Sequence, residues 1–108
     1  MKPNSESLLP VNLPADYENL SEEQQETLEN WIFNNFDMIH SYNLDNSSYG
    51  MKKLFENSPQ GFYITNGQFK GAMLKRGYKA TNRNDINWYF NVSKRSVQRT
   101  RRKVLDRL

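Results

Sequence analysis

Residues 85–100 have the sequence Asp85-Ile86-Asn87-Trp88-Tyr89-Phe90-Asn91-Val92-Ser93-Lys94-Arg95-Ser96-Val97-Gln98-Arg99-Thr100. Its apolar spacing predicts two helices, over residues 84–91 and 93–107, that pack across one another. The apolar positions expected at the crossing are Ile86, Phe90, Val92 and Val97. Asn91 tolerates the positive φ of a tight turn. Ser93 is a favourable N-cap for the second helix.

This arrangement resembles the helix-turn-helix of DNA-binding proteins, in which the second helix enters the major groove. Early positions of such a helix reach base edges, and later positions contact phosphates. The resemblance implies base contacts from Lys94, Arg95, Ser96, Gln98 and Arg99, and phosphate contacts from Arg101, Arg102, Lys103 and Arg107. We therefore expect double-stranded DNA as the partner.

Two residues depart from the motif. Asn87 stands where a small Ala is usual, and Thr100 stands where a large apolar residue is usual. The aromatic and β-branched residues from Trp88 to Val92 also suit a β-strand. In that alternative a strand precedes a basic terminal helix, and the domain is a winged helix, which can still bind DNA.

Charge is distributed very unevenly along the chain. Residues 1–66 carry three basic and ten acidic side chains, a net charge of −7, whereas residues 67–108 carry twelve basic and two acidic ones, a net charge of +10. Clustered cations of this kind are typical of a surface that neutralises phosphates. The alternatives are a merely solvated basic helix or a basic half that docks on the acidic half.

The remaining sequence predicts a mostly α-helical domain. Beyond residues 84–107, we expect helices near 21–40, 48–57 and 67–76, with one short strand pair or wing near 62–65. Residues 1–15 are predicted to be a flexible, extended arm, and residues 16–108 a single helical domain. The predicted core consists of Leu28, Ile32, Phe36, Ile39, Leu54, Phe55, Phe69, Met73, Phe90, Val97 and Val104.

Composition excludes several classes of protein. A chain of 108 residues with 36% apolar residues suits one small domain. With no Cys, the chain cannot form a disulfide scaffold. With a single His and no Cys, we expect neither a zinc site nor a Ser-His-Asp triad. The carboxylates have no spacing that suggests a metal site or an acid/base pair. We expect no enzymatic activity, no catalytic or metal-binding residue and no cofactor.

No segment is apolar enough to span a membrane, and the N-terminus lacks the apolar core of a secretion signal. We therefore expect a soluble protein of the bacterial cytoplasm, with no membrane partner.

The pattern Ser48-Tyr49-Gly50-Met51-Lys52-Lys53, followed by Gly61-Phe62-Tyr63-Ile64-Thr65-Asn66-Gly67 and Asn87-Trp88-Tyr89-Phe90, resembles small proteins encoded by phages and mobile elements of Firmicutes. Residues 63–78 also resemble a helix in the winged-helix ends of phage primase-helicases. These resemblances imply a mobile-element setting and a role with nucleic acid.

Two classes of function follow. The first is a sequence-specific DNA-binding regulator of transcription or replication, which could dimerise through the helix near 21–40. The second is a phage-encoded inhibitor, such as an anti-CRISPR or host-takeover factor, that binds a host protein. Its acidic segment from Glu18 to Glu29 could mimic DNA.

Overall fold

The structure is a computed structural model that describes residues 5–107. The helices are α1 (Glu22–Asn35), α2 (Ser48–Glu56), α3 (Asn66–Lys75) and α4 (Lys94–Leu105), and the strands are β1 (Ala80–Thr81) and β2 (Tyr89–Phe90). Three short 3₁₀ helices, Ser5–Leu8, Pro10–Asn12 and Pro14–Asn19, precede α1. The protein is therefore a small, mostly helical domain with one antiparallel hairpin, in which Ala80 pairs with Phe90 and Thr81 with Tyr89.

Local sequence signals account for most helix boundaries. Ser21 and Gln24 form a capping box at the start of α1. Thr65 and Gln68 form another at the start of α3. Gly77 has a φ of +91°, the left-handed conformation expected after α3. The predicted helices near 48–57, 67–76 and 93–107 are confirmed to within two residues at each end.

Helix α1 ends five residues before its predicted end at residue 40. After Phe36 the backbone is extended, the Ile39 amide donates to the carbonyl of Asn91, and Met38 forms a β-bridge with Val92. The prediction that Ile39 is a core residue was wrong, since 38% of its surface is exposed. The apolar residues keep a helical spacing up to Ile39. The helical hydrogen bonds end at Phe36, because the next residues pair with Asn91 and Val92.

The predicted helix over 84–91 was wrong. Residues 82–87 are turns and bends, and Tyr89–Phe90 is a strand. The alternate residues Trp88, Phe90 and Val92 are all buried, which is the two-residue period of a strand. The helix-turn-helix expected over 84–107 is therefore not formed by these residues, and the strand alternative for this segment is correct. The strand expected near 62–65 is not present, since those residues are irregular.

Residues 5–20 pack against α3 and do not form the expected extended arm; residues 1–4 lie outside the described part. Tyr17 and Leu20 are buried. Two glycines on α3 make the close approach possible: a Cβ on Gly67 would lie 2.2 Å from the Leu13 carbonyl oxygen, and one on Gly71 would lie 2.4 Å from the Pro14 oxygen. The segment reaches α3 because these positions have no side chains.

The core lies between the four helices and the hairpin. All of the predicted core residues except Ile39 are buried. Nine apolar residues outside the predicted core set are buried as well: Tyr17, Leu20, Trp31, Met51, Ile64, Ala72, Tyr78, Trp88 and Val92. Trp31 packs edge-on against Phe36 and Phe55, with ring centres 5.1 and 5.3 Å apart. These contacts join α1 to α2.

Candidate nucleic-acid interface

Helix α4 is strongly amphipathic. The Ser93 hydroxyl accepts from the Ser96 amide and caps the helix. Val97 and Val104 are buried in the core, and Thr100 lies between them with its hydroxyl 2.8 Å from the Ser96 carbonyl oxygen. A polar residue fits at position 100 because its hydroxyl finds a partner within the helix.

Ser96 does not face outward, which corrects its assignment as a DNA-contacting residue. Its side chain is fully buried, and the hydroxyl donates to the Ser93 carbonyl oxygen at 2.8 Å. The hydroxyl oxygen of Ser96 also accepts from the Asp37 amide at 3.1 Å. Ser96 therefore joins α4 to the segment that follows α1.

The two sides of α4 contact partners from the end of α1 and from the segment between α1 and α2. On one side Lys94 forms a 2.8 Å ion pair with Asp45, and Arg101 donates to Asn46 at 2.9 Å. On the other side the Lys103 ammonium donates to Asn35 Oδ1 at 2.6 Å. There too Arg99 lies 3.4 Å from the Asp37 carboxylate. These exposed ion pairs orient α4 more than they stabilise it.

A row of unpaired side chains follows the outward face of α4. Arg95, Gln98 and Arg102 are spaced by three and four residues, so they lie along one line of the helix. All three are exposed, and none forms a hydrogen bond or ion pair through its side chain with any residue in 5–107. Their guanidinium and amide groups are free to bind an external partner.

Two carboxylates of the acidic half pair with the sides of α4, and no described carboxylate pairs with the row of Arg95, Gln98 and Arg102. The described residues that form ion pairs with α4 are Asp45 and Asp37, both in the segment between α1 and α2. Glu22, Glu23 and Glu26 are exposed on α1 and form no ion pair with α4. The basic half therefore does not dock on the acidic half through Glu22, Glu23 and Glu26.

Several other cations of the C-terminal half serve packing within the domain. Lys70 is fully buried, and its pKa falls to about 8 because burial disfavours the ammonium form. Arg76 lies over the Phe33 ring and Arg83 over the Trp88 ring, at 5.1 and 4.7 Å from the ring centres. The net charge of this half thus overstates the charge available to a partner.

Sequence reasoning therefore found most of the exposed basic face, including Lys94, Arg95, Gln98, Arg99, Arg101, Arg102, Lys103 and Arg107, all of which are exposed. It missed the residues that hold this face in place, Asn35, Asp37, Asp45 and Asn46. In three of the four contacts, the partner lies more than fifty residues along the sequence from the α4 residue that it contacts. No local pattern indicates them.

No protein-family model matches this chain, and neither a curated protein nor a solved structure is similar to it. Within residues 5–107, no helix has the length and apolar character needed to cross a membrane. The same residues contain no group of three or more His, Asp or Glu side chains placed to hold a metal ion.

Proposed function

We propose that this chain is a small sequence-specific DNA-binding protein, a transcriptional or replication regulator of a phage or mobile element, and that it contacts double-stranded DNA through α4. The observation that carries the proposal is the unpaired row of Arg95, Gln98 and Arg102 on the outward face of a rigidly held helix. An α-helix fits the major groove, where Arg pairs with guanine and Gln with adenine.

The flanking cations extend this face. Lys94 and Arg99 are exposed, and their weak ion pairs with Asp45 and Asp37 can open in favour of phosphates. Arg101, Lys103 and Arg107 lie further along the helix or just beyond it, where phosphate contacts would fix the orientation. Affinity would then depend steeply on salt.

The order of elements supports a winged-helix-like arrangement. An extended segment follows α1 and forms backbone hydrogen bonds with residues in and just after β2. Helices α2 and α3, the hairpin and α4 then follow in that order. In a winged helix, α3 would enter the groove. Here residues 5–20 cover α3, whose Gly67, Phe69, Lys70 and Gly71 are buried, so α4 supplies the exposed basic face.

The test is fluorescence anisotropy with labelled duplexes, some of random sequence and some with sequences from the phage or mobile element. The affinity is measured at a series of salt concentrations. The double variant Arg95→Ala/Arg102→Ala is compared with Lys75→Ala/Lys79→Ala, which removes two exposed positive charges outside α4. We expect the first variant to bind about tenfold or more weakly than the wild type. The slope of log affinity against log salt concentration should become less steep by about 2. The control should retain most of its affinity.

An equal loss in both variants would mean that net charge alone drives binding and would overturn the role of α4. Sedimentation of the complex decides between a monomer and a homodimer on the duplex.

A protein-binding inhibitor is the second candidate. The observation in its favour is the exposed acidic surface of α1, where Glu22, Glu23 and Glu26 have no ion pair with α4. Such a surface can mimic the phosphates of DNA. Inhibition of a host enzyme that is lost in Glu22→Gln/Glu26→Gln, but kept in Arg95→Ala/Arg102→Ala, would support this function.

A further inference from the structure

A second candidate site lies away from the residues of α4. A groove of about 370 Å³ separates the start of α2, the start of α3 and the end of the loop between β1 and β2. Its lining includes Tyr49 and Lys53 from α2, Tyr63 and Asn66 near α3, and Asn87 from the hairpin loop. This volume is sufficient to hold a planar ring of the size of a nucleobase.

The groove has two exposed aromatic rings. Tyr63 is 75% exposed and Tyr49 is 49% exposed, although large aromatic side chains are usually buried where packing allows it. The Lys52 ammonium lies 5.1 Å from the Tyr49 ring centre and 5.2 Å from that of Tyr63. The Lys52 ammonium therefore occupies the position beside both rings that a cation would take. Charge repulsion disfavours a second cation there, but it does not disfavour a neutral aromatic ring.

A buried polar group in the same groove lacks a partner. Asn66 is more than nine-tenths buried, and its Oδ1 accepts no hydrogen bond in the structure. Its Nδ2 donates to the Ile86 carbonyl oxygen and to Asn87 Oδ1, both at 3.0 Å, so the amide is held in one orientation. Because Oδ1 has almost no accessible surface, a ligand N–H group does not reach it, and the amide forms part of the wall of the groove.

One group that favours a phosphate lies beside these features. Lys53 is half-exposed and lies 3.5 Å from Glu56, which also pairs with Lys52. Two cations thus share this carboxylate, and the Lys53 ammonium remains accessible to a phosphate. The start of α3 is not such a group, because the Thr65 hydroxyl there donates to the Asp16 carboxylate.

We propose that this groove binds an unpaired base of a single-stranded nucleic acid, with the ring on Tyr63 and Tyr49 and the adjoining phosphate near Lys53. Stacking on tyrosine is tolerant of base identity, and each base has a planar face. The site does not depend on α4, so the protein can hold a single strand whether or not α4 binds a duplex.

The test is anisotropy with a short labelled DNA strand of mixed sequence and with a strand of the same length whose bases are replaced by abasic sites. We expect Tyr63→Ala to weaken binding of the normal strand about tenfold, and Tyr49→Ala/Tyr63→Ala to weaken it further. Tyr63→Phe, which keeps the ring, should bind as the wild type does. Tyr42→Ala is the matched control, because Tyr42 is 42% exposed and does not line the groove.

The wild type should bind the abasic strand as weakly as Tyr49→Ala/Tyr63→Ala binds the normal strand. Equal binding of normal and abasic strands, or normal affinity in Tyr49→Ala/Tyr63→Ala, would overturn the site. So would the absence of any single-strand binding at low salt. Arg95→Ala/Arg102→Ala should retain the preference for the normal strand, so failure of the α4 proposal and failure of this one give different results.

Discussion

The ammonium of Lys70 lies 4.7 Å from the centre of the Trp88 ring. The same nitrogen donates to the Asn12 carbonyl oxygen at 2.7 Å, and Lys70 has no exposed surface. One buried cation therefore connects α3, the segment before β2 and the N-terminal 3₁₀ helices. Burial lowers its pKa from the usual 10.5 to about 8, since the charged form loses hydration that two contacts only partly replace.

This pKa predicts a rise in stability with pH. Below about pH 8, Lys70 is charged in both the folded and unfolded states, and the burial cost is fully present. Between pH 8 and the unfolded pKa, the folded state loses its proton first, so the free energy of unfolding increases by up to about 3 kcal/mol. Urea unfolding at several pH values should show this rise in the wild type and not in Lys70→Met.

Lys75→Met is the control, because Lys75 is exposed on the same helix and should keep the wild-type dependence. Measurements belong below about pH 10, since burial also raises the pKa of Tyr78 to about 12. Tyrosine ionisation in the unfolded state lowers stability above that pH. A parallel pH dependence in wild type and Lys70→Met would contradict the assignment.

The contact between α3 and residues 13–17 predicts a steric effect at Gly71. A Cβ there would lie 2.4 Å from both the Pro14 oxygen and the Tyr17 Cβ, so Gly71→Ala should destabilise the fold by about 1–3 kcal/mol in urea unfolding. Gly50→Ala is a matched control in α2, where the nearest atom would be 3.8 Å away. Helix propensity should make that variant neutral or up to about 1 kcal/mol more stable. A stable Gly71→Ala would show that the N-terminal segment does not pack on α3 as described.

Asn91 links three parts of the chain and should be sensitive to substitution. Its Oδ1 accepts from the Lys79 amide at 2.8 Å, and its Nδ2 donates to the Ile39 carbonyl oxygen at 3.0 Å. Asn91→Ala removes the partner of both backbone groups, at a cost of about 1–3 kcal/mol in the free energy of unfolding. Asn30→Ala, at an exposed position of α1, should change stability by less than about 0.5 kcal/mol. Similar stabilities for the two variants would rule out this role of Asn91.

The ion pair of Lys94 with Asp45 predicts a gain of function. Asp45→Asn removes an exposed carboxylate 2.8 Å from the Lys94 ammonium and frees that cation for a phosphate. We expect duplex affinity to increase about threefold at low salt, and the increase to fade as salt screens the charge. Glu22→Gln makes the same change in net charge on α1, away from any ion pair with α4, and should have little effect. Anisotropy titrations compare the two, and an equal gain would assign the effect to net charge.

Much of the helical structure was predictable because its signals are local. Capping residues and one apolar face located α2, α3 and α4 to within two residues at each end. Ten of the nineteen buried apolar residues of the described part were in the core predicted from the same periodicity, which also indicated most of the exposed basic face of α4. The segment from Trp88 to Val92 was ambiguous, since its apolar and aromatic residues satisfy a helical spacing as well as the alternation of a strand.

The sequence by itself determined the positions of three helices, the amphipathic basic character of α4 and the faces that enter the core, because these depend on residues within one or two turns of each other. Only the tertiary structure decided that residues 88–92 are extended and contain a strand, since their backbone partners are residues 79–81 and residues 38–48. It also decided which cations are free. Lys70 is enclosed by a segment nearly sixty residues away, and Asp37, Asp45 and two asparagines occupy the sides of α4. Such pairings join positions that are far apart in the chain, and no local pattern encodes them.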